Sequence, residues 1–320
     1  MIPISLPLNN WSRLERWRFS IFIHHLTCMY YLIYGLLYII SLLPLRVLYL
    51  VSDFVYLILY YLVGYRKKVV FTNLKRAFPG KSQEELKTIA KRFYKNFTDN
   101  FIEFIKLISA SPKFIARHFY GDCSLLDLLY EQGKRAQIQL AHNFNWEGAC
   151  VAVAARAKQP FIVVYMPIGN KVVDKIFLKV RSRTGAILLP ATDMRSAIIP
   201  YRNLSYLLIL VADQNPGNPE KALWYNFFGK PTPFLKAPES GARRGNTPVL
   251  FSKFIKERRG YYRIIFDMGE ENPGALKEGE LTKKYVQYLH DFVSEHPEMW
   301  LWSHRRWKWD WKEQYGPIIS

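Results

Sequence analysis

The chain has 320 residues, half of them hydrophobic and 16% aromatic, with 45 Lys+Arg against 26 Asp+Glu and a formal net charge of +19. Length and composition allow one large domain, or one domain plus an appendage, with a sizeable core. The charge favours an anionic partner, whether nucleic acid, a membrane surface, or an acidic protein or lipid. The three cysteines (Cys28, Cys123, Cys150) are far apart, form no CxxC, and accompany seven scattered histidines without HExxH, which excludes a disulfide scaffold and a structural metal.

Residues 19–45, FSIFIHHLTCMYYLIYGLLYIISLLPL, carry no Lys, Arg, Asp or Glu. A bilayer is crossed by about 20 apolar residues, whereas the apolar region of a signal peptide runs to about 7–15 and ends in a small-residue cleavage site. No such site follows. A second apolar stretch, VLYLVSDFVYLILYYLVGY at 47–65, lies between Arg46 and the run Arg66, Lys67, Lys68. Residues 1–66 are therefore expected to form a membrane anchor: one span plus an interfacial helix, or a helical hairpin. The flanking cations, Arg13, Arg16 and Arg18 before and Arg66 to Lys68 after, fit a hairpin with both ends cytoplasmic or one shallow insertion.

From 67 to 320 the pattern is that of a soluble domain. Over 81–109, Leu86, Ile89, Phe93, Phe97, Phe101 and Ile105 recur in steps of three and four, the mark of an amphipathic helix, and Ser82 with Glu85 forms a capping box. A second helix runs through CSLLDLLYEQG and stops at Gly133. Short apolar runs then predict strands at 136–142, 161–167, 186–190, 206–213, 248–254 and 261–269. Helices are predicted at 145–157, 170–184, 192–202 and 238–245, and a last one at 279–296. Strands alternating with helices imply an α/β fold, a mostly parallel sheet flanked by helices.

Within AHNFNWEGA (141–149), His142 and Glu147 stand five positions apart. Five residues of continuous helix leave two side chains about 140° apart, and odd spacing in a strand puts them on opposite faces. A strand ending near His142, a short turn, and a helix capped by Asn145 can bring them together at the carboxyl end of a parallel strand, where such sheets hold ligands. Glu147 then lies in the first helical turn and is placed to orient one imidazole nitrogen. The other nitrogen is free to take a proton from a hydroxyl.

With HNFNWE the chain resembles the late acyltransferases of lipid A biosynthesis, of the lauroyl- and myristoyl-transferring type, within the wider H-x4-D/E acyltransferases of glycerolipid synthesis. Further blocks fall in the family's order: NLKRAFPGKSQEE (73–85), RSRTG (181–185), VADQNPG (211–217), FFGKPTPF (227–234) and MWLWSHRRWKW (299–309). The chain departs from the family pattern at Phe144, where glycine is common. The resemblance implies a glycerolipid-acyltransferase-like fold and transfer of an acyl chain from an acyl carrier protein thioester to a hydroxyl of a lipid A precursor. His142 is then the base and Glu147 its orienter. Arg181 or Arg183 holds anionic groups of the acceptor, Asp213 and Gln214 organise the site, and Phe228 and Gly229 line it. The location implied is the bacterial inner membrane, with the catalytic part, 67–320, on the cytoplasmic face.

Other readings of these residues stay open. Arg181 and Arg183 share a run with Lys175 and Lys179 that resembles a solvated helix face. Asp213 fits a turn residue before Asn215-Pro216-Gly217. His304, Arg305 and Arg306 among Trp300, Trp302, Trp307, Trp309 and Trp311 suit single-stranded nucleic acid or a membrane interface, and the apolar N-terminus favours the membrane over nucleic acid. Ser240 lacks a G-x-S-x-G elbow, and no G-x-G-x-x-G or P-loop is present, so no nucleotide cofactor is expected. The alternatives are an acyltransferase acting on a lysophospholipid, aminolipid or glycolipid, and a catalytically silent basic protein that binds lipid or nucleic acid.

Overall fold

A computed structural model of the protein describes residues 13–319. Residues 1–12 of the expected anchor, and the side chains of Arg13, Arg16 and Arg18, lie outside the described residues. Two apolar helices come first, α1 (Arg13–Leu42) and α2 (Leu45–Leu57), and α2 continues into a π-helical turn, Ile58–Val63, that ends at Gly64 with φ 63°. Among the described residues one helix, Leu45–Val63, is long and apolar enough to cross a membrane, and Leu26–Leu42 is a shorter apolar helix. The second apolar stretch thus meets the length of a span, while the side chains of residues 19–23 and 25 in the first stretch lie outside the described residues.

Both helices are two-faced. Tyr30, Leu48, Ser52, Tyr56 and Tyr60 are buried, whereas Leu50 is 70% and Phe54 63% exposed. The inner face is fastened by polar contacts. Ser52 donates to Asp99 at 2.8 Å, and Arg259 bridges Asp53 and Asp99. Lys106 donates to the carbonyls of Ser41 and Leu43 at 2.8 and 3.0 Å. Lys175 and Lys179, expected on a solvated face, lie over the rings of Tyr30 and Tyr34 at 4.0 and 4.2 Å.

After α3 (Lys67–Ala77), α4 (Gln83–Leu107) begins at the expected capping box: Ser82 accepts from the Glu85 amide and Glu85 accepts from the Ser82 amide. The helix is more buried than its apolar stripe implies, because it is packed between α2 and the sheet domain. Its inner surface carries Asn96, Asp99, Asn100 and Glu103, while Phe101, expected on the apolar stripe, is 47% exposed.

The rest is α5 (Pro112–His118), β1 (Phe119–Gly121), α6 (Ser124–Glu131), β2 (Ala136–Leu140), α7 (Trp146–Ala154), β3 (Phe161–Tyr165), α8 (Lys171–Ser182), β4 (Ile187–Pro190), α9 (Met194–Ala197), β5 (Leu207–Val211), β6 (Leu223–Phe227), β7 (Lys230–Phe234), α10 (Ala237–Gly245), β8 (Val249–Arg258), β9 (Tyr261–Glu270), α11 (Glu280–Glu295) and β10 (Ile318–Ile319). Seven strands form one sheet in the order β1-β9-β8-β2-β5-β3-β4, parallel at every pairing except the antiparallel β8–β9 pair. This is the expected mostly parallel sheet flanked by helices. All five residues of central β2 are buried, and within AQIQL the Gln137 amide has a partner, donating to the Pro238 carbonyl at 3.1 Å.

One local expectation needs correction. The helix predicted at 192–202 is a single α-turn, Met194–Ala197, between 3-10 turns at Ala191–Asp193 and Ile199–Tyr201. Pro200 lacks the amide that a continuous helix needs there. FFGKPTPF is a β-hairpin, β6–β7, in a second sheet of order β10-β6-β7. Phe228 and Gly229 both have positive φ, 51° and 69°, as a two-residue hairpin turn requires. Pro231 and Pro233 are tolerated because β7 is an edge strand and alternate residues face away from its partner.

Candidate active site

The site lies at the carboxyl ends of β2 and β5. These strands pair in parallel with Leu140 beside Val211, so the residues two positions further on, His142 and Asp213, come out side by side. Asp213 Oδ1 accepts a hydrogen bond from His142 Nδ1 at 2.7 Å, and Asp213 Oδ2 accepts the His142 backbone amide at 3.1 Å and Trp300 Nε1 at 2.8 Å. A carboxylate only accepts here, so Nδ1 carries the proton and Nε2 keeps its lone pair. Gln214 Nε2 sits 3.3 Å from that nitrogen.

Burial alone pushes the Asp213 carboxyl up. Attraction to His142, then the hydrogen bonds from His142 and Trp300, outweigh it and hold Asp213 at about 2. Burial also pushes His304, nearby in the C-terminal block, down to about 4, so it is neutral over the physiological range.

The strand–turn–helix after β2 forms as expected. Asn145 caps α7, its Oδ1 accepting from the Gly148 amide at 3.0 Å, and Glu147 lies in the first turn. Its partner differs from the expected one. Among the described residues Glu147 makes no hydrogen bond to His142. It is gripped by Arg181 of α8 through Nε at 2.8 Å and a second bond from Nη2, and it accepts Trp146 Nε1 at 3.0 Å. Burial opposes the Arg181 charge, and Glu147 more than restores it, so the guanidinium is held well charged. The Trp146 ring stands edge-on to His142, with centroids 5.3 Å apart. Asp213 thus fills the orienting position that spacing alone assigned to Glu147.

His142 and its neighbours open onto a cavity of about 1100 Å³. His142, Trp146, Glu147, Arg181 and Gln214 line it, and Leu140, Val153, Phe161, Val163 and Leu208 are among its apolar walls. Cys150 also lines it; burial, then the charge of Glu147, pushes its thiol up to about 12, which leaves it unreactive at neutral pH. Exposed Arg195 and Arg244 line the cavity as well.

Not every expected residue is brought here. Arg183 donates to the carbonyls of Leu107 and Ala110, closing the carboxyl end of α4, and does not line the cavity. Phe228 packs against His290 with centroids 4.4 Å apart and planes tilted by 34° and, with Gly229, makes the hairpin turn away from the cavity walls. Asn145 is fully buried and acts on the site through the cap. Part of the C-terminal block, expected at the membrane, faces inward, while Arg305 is exposed and Trp307, Trp309 and Trp311 are half-buried. Trp302 is 0% and Arg306 1% exposed. Arg306 donates to Asn215 and to the Pro233 carbonyl, both at 2.8 Å, which braces the loop carrying Gln214. Among the described residues no group of three or more His, Cys, Asp or Glu could hold a metal ion.

A family model, Bacterial lipid A biosynthesis acyltransferase, matches residues 17–309 of the chain. No curated protein matches it.

Proposed function

We propose that this chain, which belongs to the bacterial lipid A biosynthesis acyltransferase family, moves an acyl group from an acyl carrier protein thioester to a hydroxyl of a lipid A precursor. The observation that carries the reading is the His142–Asp213 pair, with His142 lining a largely apolar cavity. In this mechanism Nε2 takes the hydroxyl proton as the oxygen attacks the thioester carbonyl. Asp213 keeps the imidazole in the required tautomer and stabilises the imidazolium that forms. Collapse of the tetrahedral intermediate breaks the C–S bond, and the thiolate recovers the proton from Nε2. Arg181 spends Nε and Nη2 on Glu147, so its remaining Nη1 and the Gln214 amide are the donors for the oxyanion. Glu147 acts here by fixing Arg181 and Trp146.

The acyl chain is assigned to the apolar walls and the acceptor's anionic groups to Arg195 and Arg244, in place of Arg183. Guanidinium suits bidentate phosphate contact. The exposed faces of α1 and α2 are assigned to the membrane, at the cytoplasmic face of the inner membrane. Asp53, paired with Arg259 on the inner face of α2, favours a helix lying against the domain with only its outer face in lipid. The basic excess serves anionic headgroups and an acidic carrier protein, at about 1 kcal/mol for each cation near the surface.

The test is the purified chain in vesicles with acyl carrier thioester and a lipid A precursor. Free carrier thiol and the precursor's mass are both followed. One added acyl mass per thiol released is expected, and neither with His142→Ala. Acylation of a lysophospholipid but not of the precursor would move the acceptor to another lipid. Thiol release without any lipid gaining mass would refute transfer.

A further inference from the structure

One buried carboxylate outside the cavity walls gathers three elements of the fold. Glu103 of α4 is 4% exposed. Its Oε1 accepts the Tyr49 hydroxyl of α2 at 2.7 Å; its Oε2 accepts Asn145 Nδ2 at 2.7 Å and the Tyr262 hydroxyl of β9 at 2.8 Å. Tyr262 in turn stacks on Phe119, with centroids 5.3 Å apart and planes 6° from parallel. The Phe119 ring lies so close under α7 that a Cβ on Gly148 would come within 2.0 Å of it. The first turn of α7 therefore rests on a rigid aromatic floor and has one remaining freedom, the orientation of its cap.

That cap is an amide with two chemically different ends. Only the orientation with Oδ1 toward the Gly148 amide caps the helix, and it turns Nδ2 toward Glu103. Burial and then the charge of Asp99 push the Glu103 carboxyl up, and Lys256 with the hydrogen bonds from Tyr49 and Asn145 pull it down; as the carboxylate it accepts from both tyrosines and has no proton of its own to offer. The opposite orientation would set two acceptors face to face at Glu103 and two donors face to face at Gly148.

We propose that Glu103 is a positioning residue for catalysis: it locks the Asn145 amide in the capping orientation and so holds Trp146, Glu147 and Arg181 in place around His142. The proposal rests on the transfer mechanism above for its effect on turnover, and on geometry alone for its effect on the cap. Misplacing a catalytic constellation by about 1 Å lowers turnover on the order of 100-fold.

Asn145→Asp tests this directly. Aspartate is as good a cap as asparagine, but here it puts a second carboxylate against Glu103. The expected result is a kcat reduced roughly 10- to 100-fold with both KM values within about twofold, and faster hydrogen exchange at the Gly148 amide. Adding Glu103→Gln supplies a donor to the new carboxylate and is expected to restore kcat to within about fivefold of the parent and to slow the exchange again. A merely structural role for Glu103 predicts the opposite for the pair, since each change then lowers stability and neither relieves the other. Parent-like kcat in Asn145→Asp, or no recovery in the double variant, overturns the proposal. If Asn145→Asp does not fold, the double variant decides alone: it must fold and turn over within that range. The exchange measurement needs no substrate, so an inactive parent would refute the transfer mechanism and leave the cap test standing.

Discussion

Asp213→Asn is the substitution for which the geometry makes the most definite demand. Three donors converge on this side chain: the His142 amide, His142 Nδ1–H and Trp300 Nε1–H. Asparagine has one acceptor oxygen. Placed at Oδ2 it still satisfies the backbone amide and Trp300, and the new NH₂ then faces Nδ1. Imidazole can accept from that NH₂ only by moving its proton to Nε2, which abolishes the lone pair that receives the hydroxyl proton. The structure thus survives and the base is lost. A general base contributes on the order of 10²–10⁴ in rate, so kcat is expected to fall by that factor. Binding of either substrate should hardly change, because Asp213 is buried behind the imidazole.

The same side chain sets an acid limit on stability. Its carboxyl stands at about 2 against an ordinary 3.8, a difference worth roughly 2 kcal/mol at about 1.4 kcal/mol per unit. The folded value is the lower one, so this contribution is complete above about pH 4 and is lost as pH falls through about 2. Asp213→Asn should remove that part of the acid dependence. Urea unfolding at pH 3 and pH 6, beside steady-state turnover of thioester and lipid, measures both effects. A folded Asp213→Asn protein with parental kcat would refute the base assignment, and an unchanged acid dependence would refute the electrostatic account of Asp213.

Arg183→Ala should lower the unfolding temperature, since it removes two charged hydrogen bonds worth about 1.5–3 kcal/mol each at most, and should leave the acceptor KM unchanged. Arg244→Ala should do the reverse, and equal KM effects of the two would put Arg183 back at the substrate. Replacing Leu50 and Phe54 on the exposed face of α2 with Asp should abolish flotation with anionic vesicles while leaving turnover of detergent-dispersed acceptor within about threefold; unchanged flotation would move the membrane contact elsewhere.

What was readable in the sequence divides by the range of the interaction. The capping box at Ser82 and Glu85, the six strands of the main sheet predicted from apolar runs, and the strand–turn–helix around Asn145 are all set by neighbours within a few residues, and all are present. The β6–β7 hairpin was hidden because Pro231 and Pro233 argue against a strand until its position at a sheet edge is known. The tryptophans of the C-terminal block read as interfacial because composition cannot separate a wet aromatic from a buried one. Trp300 has its polar edge on Asp213, and Trp307 has its own on Thr232 at 2.9 Å.

The catalytic pairing shows the same division. Spacing along the chain makes Glu147 the nearest carboxylate to His142, and a local argument has no other candidate. The carboxylate that accepts from His142 Nδ1 lies 71 residues away and reaches it because β2 and β5 are adjacent and in parallel register. A cue was present in that both residues stand two positions past the end of an apolar run. It becomes decisive only once strand order is known, and strand order depends on how the crossover helices pack. Glu147 is then released for a different task, and the cation that claims it, Arg181, comes from a helix that joins two other strands. A five-residue spacing between a base and an acid can therefore hold two separate pairs, a hydrogen bond that orients the imidazole and an ion pair that fixes the guanidinium, and the double variant His142→Ala/Glu147→Ala need not behave as one catalytic unit.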